Sequence, residues 1–365
     1  MRGAAGSQLR PEGTLAVDVP STPALVLDLD AAEANIGRMA ALAGANGCGL
    51  RPHAKAHKSP ELARRQIAAG AVGITTATAE EALAFAAERI DDILVANEIA
   101  VPEKLDALAR AAQDVRITVA VDDEENVRDL AARATAAGSV VGVLVEVDVG
   151  MGRCGVRRPE DAATLALLAA DLPGLAPRGV MGYEGHCVDD PDPASRRRRT
   201  EEAVGRLSEA VAALEACGLP AEVVSAGGTG TADITSGLAP VTEIQAGSYV
   251  LMDVYHQLTT AAFDVALTVR ATVISAHGEL IVVDAGRKAL GGDLAPPQLA
   301  GIPGETAFVH EEHSGYRVEP GRMRVGDQVS IVVGYAPTAV NLHGAYHVVA
   351  GGTLVDRWDV CGRYW

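Results

Sequence analysis

The chain has 365 residues, apolar side chains at 48% of its positions and a formal net charge of −17 at pH 7. That length allows one large domain or two domains, each with a core of its own. The excess of negative charge argues against binding to nucleic acid or to an anionic membrane. We therefore expect a soluble, cytoplasmic protein with neither kind of partner.

Five cysteines are scattered along the chain with no paired spacing: Cys48, Cys154, Cys187, Cys217 and Cys361. An odd, dispersed set predicts free thiols in a reducing compartment. The polar, glycine-rich residues 1–13 contain no apolar stretch typical of a secretory signal. No apolar run approaches the length of a membrane span.

In chain order, a leader over 1–22 precedes a strand at 23–28 and a helix from Asp30 to Gly44. Eight short apolar strands then follow near 48–51, 73–76, 92–96, 117–121, 141–148, 179–184, 221–225 and 243–246. Helical segments lie near 59–69, 79–89, 102–112, 124–137, 159–170 and 193–217. This α/β alternation predicts a (β/α)8 TIM-like barrel over 23–257, rather than a doubly wound sheet.

Beyond residue 258 the pattern changes to Val/Thr/Ile runs broken by Gly, Pro and Asp, with no long helix. These runs predict a C-terminal β-rich domain over 258–365. The strand at 23–28 precedes the eight barrel strands, so it either belongs to the barrel domain or pairs with the β-domain.

The segment Arg51 to Lys58, RPHAKAHK, connects the first barrel strand to a helix that Ser59 caps and Pro60 begins. Its lysine, Lys55, has several cationic or potentially cationic neighbours. Such crowding disfavours the ammonium form and favours a nucleophilic amine for Schiff-base chemistry. The alternative is an ordinary surface lysine in a basic loop.

Active sites of barrel enzymes lie at the C-terminal ends of the strands. The later strands there lead into Arg153, into Tyr183 and His186, and into two turns, Gly227–Thr231 and Gln245–Tyr249. Both turns have the Gly, Ser and Thr composition of a phosphate-binding loop. A reactive lysine and a phosphate site in one pocket indicate pyridoxal 5'-phosphate.

The chain also resembles a known family. The segments RPHAKAHK, VDVGMGRCGV, GYEGH, SAGGTGT, EIQAGSYVLMD and HEEHSG are similar to those of fold-type III, alanine racemase-like pyridoxal-phosphate enzymes. The closer similarity is to the branch of D-threonine aldolase, D-serine dehydratase and hydroxy-D-aspartate aldolase. The motifs occur in the same order over most of residues 22–343.

By this resemblance Lys55 would carry the internal aldimine and Arg153 would face the phenolate oxygen of the cofactor. The phosphate would be held by Gly228, Thr229, Gly247 and Ser248. Gln245 stands where alanine racemases place an arginine against the pyridine nitrogen. The remaining expected pocket residues are His53, Tyr183, His186 and Tyr249; for Tyr183 and His186 the alternative role is structural packing.

One departure from the branch concerns its metal. The aldolases and dehydratases carry a His-x-Cys or His-x-Asp pair before a Pro-Thr-Val-Asn-Leu-like stretch, but here Tyr335 and Pro337 take those positions. Neither is a convincing ligand for a divalent ion. His310 with His313, or His343 with His347, could bind a metal, but we expect no metal site.

The resemblance implies a lyase acting on a D-configured β-hydroxy amino acid, by retro-aldol cleavage or β-elimination through an external aldimine. The alternative is a racemase or epimerase that uses Lys55 and Tyr335 as its acid/base pair. A non-catalytic pyridoxal-phosphate-binding protein is the third possibility, and the added β-domain argues against it. We expect a homodimer in which Tyr335 reaches the active site of the neighbouring subunit.

Overall fold

The computed structural model describes residue 19 and residues 21–363, so most of the leader predicted over 1–22 lies outside the described residues. The strands are β1 Ala24–Asp28, β2 Gly49–Leu50, β3 Ile74–Thr76, β4 Asp92–Glu98, β5 Arg116–Val121, β6 Val141–Glu146, β7 Leu175–Met181, β8 Val223–Ala226, β9 Glu243–Ile244, β10 Leu267–His277, β11 Leu280–Val283, β12 Gln298–Leu299, β13 Glu305–Val309, β14 Ser314–Arg317, β15 Gln328–Val332, β16 Ala345–Ala350 and β17 Thr353–Asp359.

The helices are α1 Leu29–Ala45, α2 Pro60–Ala68, α3 Ala79–Ala87, α4 Pro102–Ala111, α5 Glu124–Ala137, α6 Pro159–Asp171, α7 Pro193–Ala216, α8 Ala232–Thr235, α9 Val254–Gln257, α10 Arg287–Leu290 and α11 Ala336–Leu342, with short 3-10 turns at Ala54–Ala56 and Ser248–Val250. Among the described residues, none of these helices combines the length and apolarity needed to cross a bilayer. Two compact units form among the described residues: one from 34–250, 258–263 and 361–363, the other from 19, 21–33, 251–257 and 264–360.

The first unit contains an eight-stranded parallel sheet in the order β2-β9-β8-β7-β6-β5-β4-β3. A parallel bridge between His53 and Thr75 brings its two end strands together. All six residues of β6 are buried, as expected for strands covered on both faces. The closed parallel sheet and its crossover helices confirm the predicted (β/α)8 TIM-like barrel.

The helix boundaries follow the capping signals in the sequence. Ser59 accepts a hydrogen bond from the backbone N–H of Leu62 at the start of α2, with Pro60 in the first turn. Asp123 accepts bonds from two N–H groups at the start of α5, and Gly138 ends that helix with φ of 67°. Such caps satisfy donors and acceptors that helix ends leave open.

The second unit is built on a sheet in the order β13-β14-β11-β10-β1-β16-β17, with β15 pairing β10 and β12. The sequence leaves the partner of β1 open. In the structure, β1 runs antiparallel to β10 and parallel to β16. Short elements here were not predicted from the sequence, among them α10, α11 and the largely exposed β17, because their few residues show no clear apolar period.

Candidate active site

Lys55 lies at the C-terminal edge of the barrel sheet. After β2 the chain stays extended to His53, which bridges to Thr75, and then makes the single 3-10 turn that contains Lys55. Because all eight strands are parallel, the loops after β4, β5, β6, β7, β8 and β9 open at this same edge. The residues expected from the sequence therefore come from several loops of one edge.

The cations next to Lys55 in sequence do not act as we expected. Arg51 is buried and pairs with Glu243 at 2.9 Å and Asp92 at 2.7 Å. Lys58 is also buried, and its Nζ lies 2.8 Å from a carboxylate oxygen of Glu81. The expectation that these two charges crowd Lys55 is wrong, because each is neutralised by its own carboxylate.

The two histidines are not the source of the positive charge either. Burial lowers the pKa of His57 to about 4, and its Nδ1 accepts a hydrogen bond from the backbone N–H of Ser59. Burial also holds the pKa of His53 well below its usual value. The pKa of Lys55 is lowered chiefly by burial and then by the guanidinium of Arg153.

The chain has four lysines, Lys55, Lys58, Lys104 and Lys288. Three of them form ion pairs, with Glu81, Glu80 and Glu312 respectively. Among the residues the structure describes, Lys55 is the lysine without a carboxylate partner. An amine with a lowered pKa and no ion pair is the form that attacks an aldehyde.

Tyr183 lies between Lys55 and Arg153. The Nζ of Lys55 is 6.0 Å from the centre of the Tyr183 ring, and the Cζ of Arg153 is 5.8 Å from it. One Nη of Arg153 lies 3.4 Å from a carboxylate oxygen of Glu146, the last residue of β6. The structure thus brings together three residues predicted from separate motifs.

The loop after β6 owes its shape to Asp148 and to glycines with positive φ. One carboxylate oxygen of Asp148 accepts hydrogen bonds from the N–H groups of Gly150 at 3.0 Å and Gly152 at 2.9 Å. A Cβ on Gly155, whose φ is 101°, would stand 2.5 Å from the Asp148 nitrogen. The resulting shallow recess is lined in part by Arg153 and Tyr183.

The turns after β8 and β9 approach each other closely because glycines leave room. A Cβ on Gly247 would lie 2.5 Å from the carbonyl oxygen of His53, and one on Gly230 would lie 2.2 Å from that of Val188. A Cβ on Gly228 would lie 3.2 Å from the Tyr183 ring. A side chain at Gly228 would therefore occupy the space beside Tyr183, and side chains at Gly247 and Gly230 would clash with the neighbouring backbone.

The turns after β8 and β9, which we call the cradle, also keep hydrogen-bond donors available. Among the described residues, no hydrogen bond occupies the N–H groups of Thr229, Gly230 or Gly247. The buried Thr229 hydroxyl accepts from the N–H of Tyr249 at 3.0 Å, which leaves its hydrogen free to donate. A phosphate binds to such clustered N–H and hydroxyl groups. Together with the free amine of Lys55, this donor set fits pyridoxal phosphate.

Glu184 is a residue of this site that sequence reasoning missed. Its fully buried carboxylate accepts hydrogen bonds from the N–H of Gly227 at 3.0 Å and from the hydroxyls of Thr231 at 2.8 Å and Thr235 at 2.6 Å. These bonds fix the conformation of the glycine-rich turn Gly227–Thr231 after β8. The only signal in the sequence is an acidic residue inside an otherwise apolar, glycine-rich motif.

Gln245 and Tyr249 are both buried but differ in what they offer a ligand. The Nε2 of Gln245 donates to the Ser225 hydroxyl at 2.9 Å, so its amide is fixed at the end of β9. The Tyr249 hydroxyl accepts from the Nε2 of Gln66 at 2.9 Å and its side chain is fully enclosed. Tyr249 therefore acts on the cradle through its backbone N–H.

His186 is partly buried near the loop after β6. A Cβ on Gly150 would lie 3.2 Å from its Nε2, and its carbonyl oxygen accepts a hydrogen bond from Arg199. Burial, followed by the charge of Arg199, lowers the pKa of His186. Its Nδ1 is buried without a hydrogen-bond partner among the described residues.

In the second unit, Tyr335 caps α11 and Pro337 lies in its first turn. The Tyr335 ring stacks on His256 with centroids 5.8 Å apart. Burial, then the charges of Asp253 and Asp293, raises the pKa of Tyr335 to about 12. A protonated phenol and a proline do not supply suitable side-chain ligands for a divalent metal at these two positions.

The other histidines considered as ligands have different surroundings. His310 stacks on Phe308 with centroids 4.6 Å apart, and His343 Nε2 lies 2.8 Å from the carbonyl oxygen of Ala289. Over residues 21–363 the one cluster of three potential ligand side chains is Glu98, Asp122 and Cys154, which contains no histidine. The expectation that no metal binds remains a prediction.

Comparison with protein families matches residues 27–254 to the model described as "Alanine racemase, N-terminal domain". Residues 266–349 match the model described as "Putative serine dehydratase domain". The first match alone covers more than half of the chain.

Full-length relatives agree with these matches. A D-threonine aldolase of Arthrobacter sp is 39% identical over 94% of this chain and 92% of its own. A D-threo-3-hydroxyaspartate dehydratase of Delftia sp. (strain HT23) is 37% identical over 74% of this chain and 73% of its own. The crystal structure of D-threonine aldolase from Filomicrobium marinum superimposes with a TM-score of 0.92 at 36% identity, over 94% of this chain and 95% of that one.

Proposed function

The chain belongs to the alanine racemase-like, fold-type III family of pyridoxal-phosphate enzymes, and from this membership we propose that it is a lyase acting on D-configured β-hydroxy amino acids. We propose retro-aldol cleavage as its reaction, which yields glycine and an aldehyde. A relative that is 39% identical over 94% of this chain is an aldolase. A relative that is a dehydratase makes β-elimination the second candidate.

One observation carries the assignment of the reactive residue. Lys55 is the lysine without a carboxylate partner in the described chain, and its pKa is lowered. It lies at the same barrel edge as the donor cradle of Thr229, Gly230 and Gly247. An amine and an anion site on one edge match the two ends of pyridoxal phosphate.

The proposal gives each pocket residue one task. Lys55 would hold the cofactor aldehyde, and the N–H and hydroxyl groups of Thr229 and Ser248 would hold its phosphate. Arg153 would face the phenolate oxygen, and Gln245 would offer a neutral amide to the ring nitrogen. When bound, the cofactor accepts the electron pair released as a bond to the substrate α-carbon breaks.

The residues of this chain then handle the protons. In retro-aldol cleavage the β-hydroxyl loses its proton as the bond between the α- and β-carbons breaks. His186 fits this task because its lowered pKa keeps the imidazole neutral at pH 7, with Nδ1 unpaired. Lys55 would return a proton to the α-carbon, and Tyr183 would orient the substrate against it.

We also propose that the reaction proceeds without the divalent ion typical of this branch. The support is the chemistry of the two residues at the ligand positions, because Tyr335 is protonated at neutral pH and Pro337 has no donor. Tyr335 would act instead as a proton or hydrogen-bond donor. By the family resemblance it would do so in the active site of a partner subunit in a homodimer.

The reaction can be identified by incubating the holoenzyme with D- and L-forms of several β-hydroxy amino acids. Glycine, aldehyde, ammonia and the configuration of recovered substrate are followed together. We expect glycine and aldehyde from D-substrates alone. Ammonia with a 2-oxo acid would replace the retro-aldol proposal by elimination, and loss of optical purity without cleavage would replace it by racemisation.

The dimer proposal has a separate test. The Lys55→Ala and Tyr335→Phe variants are each expected to be poorly active, and they are unfolded, mixed and refolded together. If Tyr335 serves the partner's Lys55, mixed dimers contain one intact site, and about a quarter of the wild-type activity returns. Activity no higher than the sum of the two variants would show that both residues act within one chain.

A further inference from the structure

Two carboxyl groups lie at the ends of the barrel strands that flank β5, and one of them contacts Arg153. Glu98 ends β4 and Glu146 ends β6, with β5 between them. They lie within hydrogen-bond distance of each other. Neither carboxyl has a task in the function proposed above.

One oxygen of each carboxyl has no conventional partner. Within the described part of the chain, Oε1 of Glu98 and Oε2 of Glu146 are buried and accept no hydrogen bond from an N–H or O–H group. Glu146 is only 3% exposed. A buried carboxylate oxygen without a donor is costly, so each of these two oxygens favours a proton, a cation or a water molecule beside it.

The surrounding charges limit what can occupy this position. The other oxygen of Glu146 accepts from Arg153 at 3.4 Å. The Cys154 thiol donates to Glu98, and one oxygen of Asp122, after β5, accepts the N–H of Gly155 at 2.9 Å. Among the described residues Arg153 therefore pairs with Glu146 alone, while Glu98 and Asp122 cluster with the Cys154 thiol, so full ionisation would leave an excess of negative charge.

A proton is the smallest group that removes this excess. When two carboxyls share a buried site, one of them retains its proton far above the usual pKa. Burial, then the charge and hydrogen bond of Glu98, raises the pKa of Glu146 to about 8. A shared proton also supplies a donor to a carboxyl pair in which two buried oxygens accept no hydrogen bond from the described residues.

We propose that Glu98 and Glu146 hold one proton between them and that the single negative charge of the pair positions Arg153. Glu98 is then a positioning residue that acts through Glu146 without touching the cofactor. The consequence for the cofactor rests on the proposed role of Arg153 at its phenolate oxygen. The shared proton itself does not depend on that role.

The shared proton is tested on the cofactor-free protein by infrared difference spectroscopy during a pH titration. We expect the carbonyl stretch of a protonated carboxyl at pH 7, sensitive to deuterium exchange, that disappears with a midpoint near pH 8. Glu98→Gln and Glu146→Gln should each lose this band. Glu103→Gln removes one exposed carboxylate from the first turn of α4 and should keep it.

The positioning role has its own readout, which is the absorbance of the holoenzyme cofactor as a function of pH. In the wild type this absorbance should change with a midpoint near pH 8, because above that pH both Glu98 and Glu146 are ionised beside Arg153. In Glu98→Gln an amide donates to Glu146, so the change should be lost or should move down by about two pH units or more. The Glu103→Gln control should match the wild type.

Each alternative result overturns part of the proposal. A wild-type protein without the infrared band at pH 7 has no shared proton. One equivalent of zinc retained by the wild type, and lost in both Glu98→Gln and Cys154→Ser, would make the cluster a metal site instead. A confirmed band with an unchanged cofactor titration in folded Glu98→Gln would remove only the positioning role. None of these results depends on the substrate of the enzyme.

Discussion

Replacing Thr229 by valine tests the phosphate cradle most sharply. The buried hydroxyl accepts the N–H of Tyr249, and its own hydrogen remains to bind an anion. Valine matches threonine in shape but removes both functions. The substitution should therefore weaken cofactor binding and destabilise the cofactor-free protein, two effects that can be measured separately.

The two magnitudes come from different bonds. A hydrogen bond to a charged phosphate contributes about 1.5–3 kcal/mol, so cofactor affinity should fall about 10- to 100-fold. Leaving the buried N–H of Tyr249 without an acceptor should lower the free energy of unfolding by about 1–3 kcal/mol. This loss of folding stability is present whether or not the cofactor is bound.

Affinity is measured by titrating the cofactor-free protein with pyridoxal phosphate, and stability by urea unfolding of the same sample. Thr229→Ser is the matched control, because it keeps the hydroxyl and should retain affinity. Adding Ser248→Ala to Thr229→Val should lower affinity further. Wild-type affinity in a folded double variant would refute the reasoning and place the phosphate elsewhere.

Three further predictions concern the chemistry. Tyr335→Phe should lower kcat far more than it weakens cofactor binding; an equal effect on both, or none, contradicts a proton-donor role. Exhaustive EDTA treatment should leave activity intact, and metal analysis should find less than one equivalent of zinc or manganese; loss of activity that added metal restores would refute this. Because burial lowers the pKa of His186, the acid limb of kcat/KM should have its midpoint below the pKa of an unperturbed histidine, about 6.5, and in His186→Gln that limb should be absent.

The sequence predicts the barrel well because its signals are local. Ser59 and Pro60 begin a helix, and the apolar runs become buried parallel strands. The site residues could also be placed at one edge, since the ends of parallel strands meet there. Lys55, Arg153 and Tyr183 come together as this rule requires.

What the sequence could not provide are the pairings between distant residues. The charges beside Lys55 looked like neighbours that would lower its pKa, yet Arg51 pairs with Glu243, nearly two hundred residues away. The cation that does lower it, Arg153, lies on another loop. Likewise, the sequence could not show that Glu184 is an internal anchor, because a glutamate is usually exposed.

The central claim is that Lys55 holds the cofactor. Borohydride reduction of the purified, yellow holoenzyme, followed by peptide mapping, tests this claim directly because the chain has only four lysines. We expect the pyridoxyl group on Lys55, and Lys55→Ala should lose both the reducible linkage and turnover. A pyridoxyl group on Lys58, Lys104 or Lys288 would contradict the account.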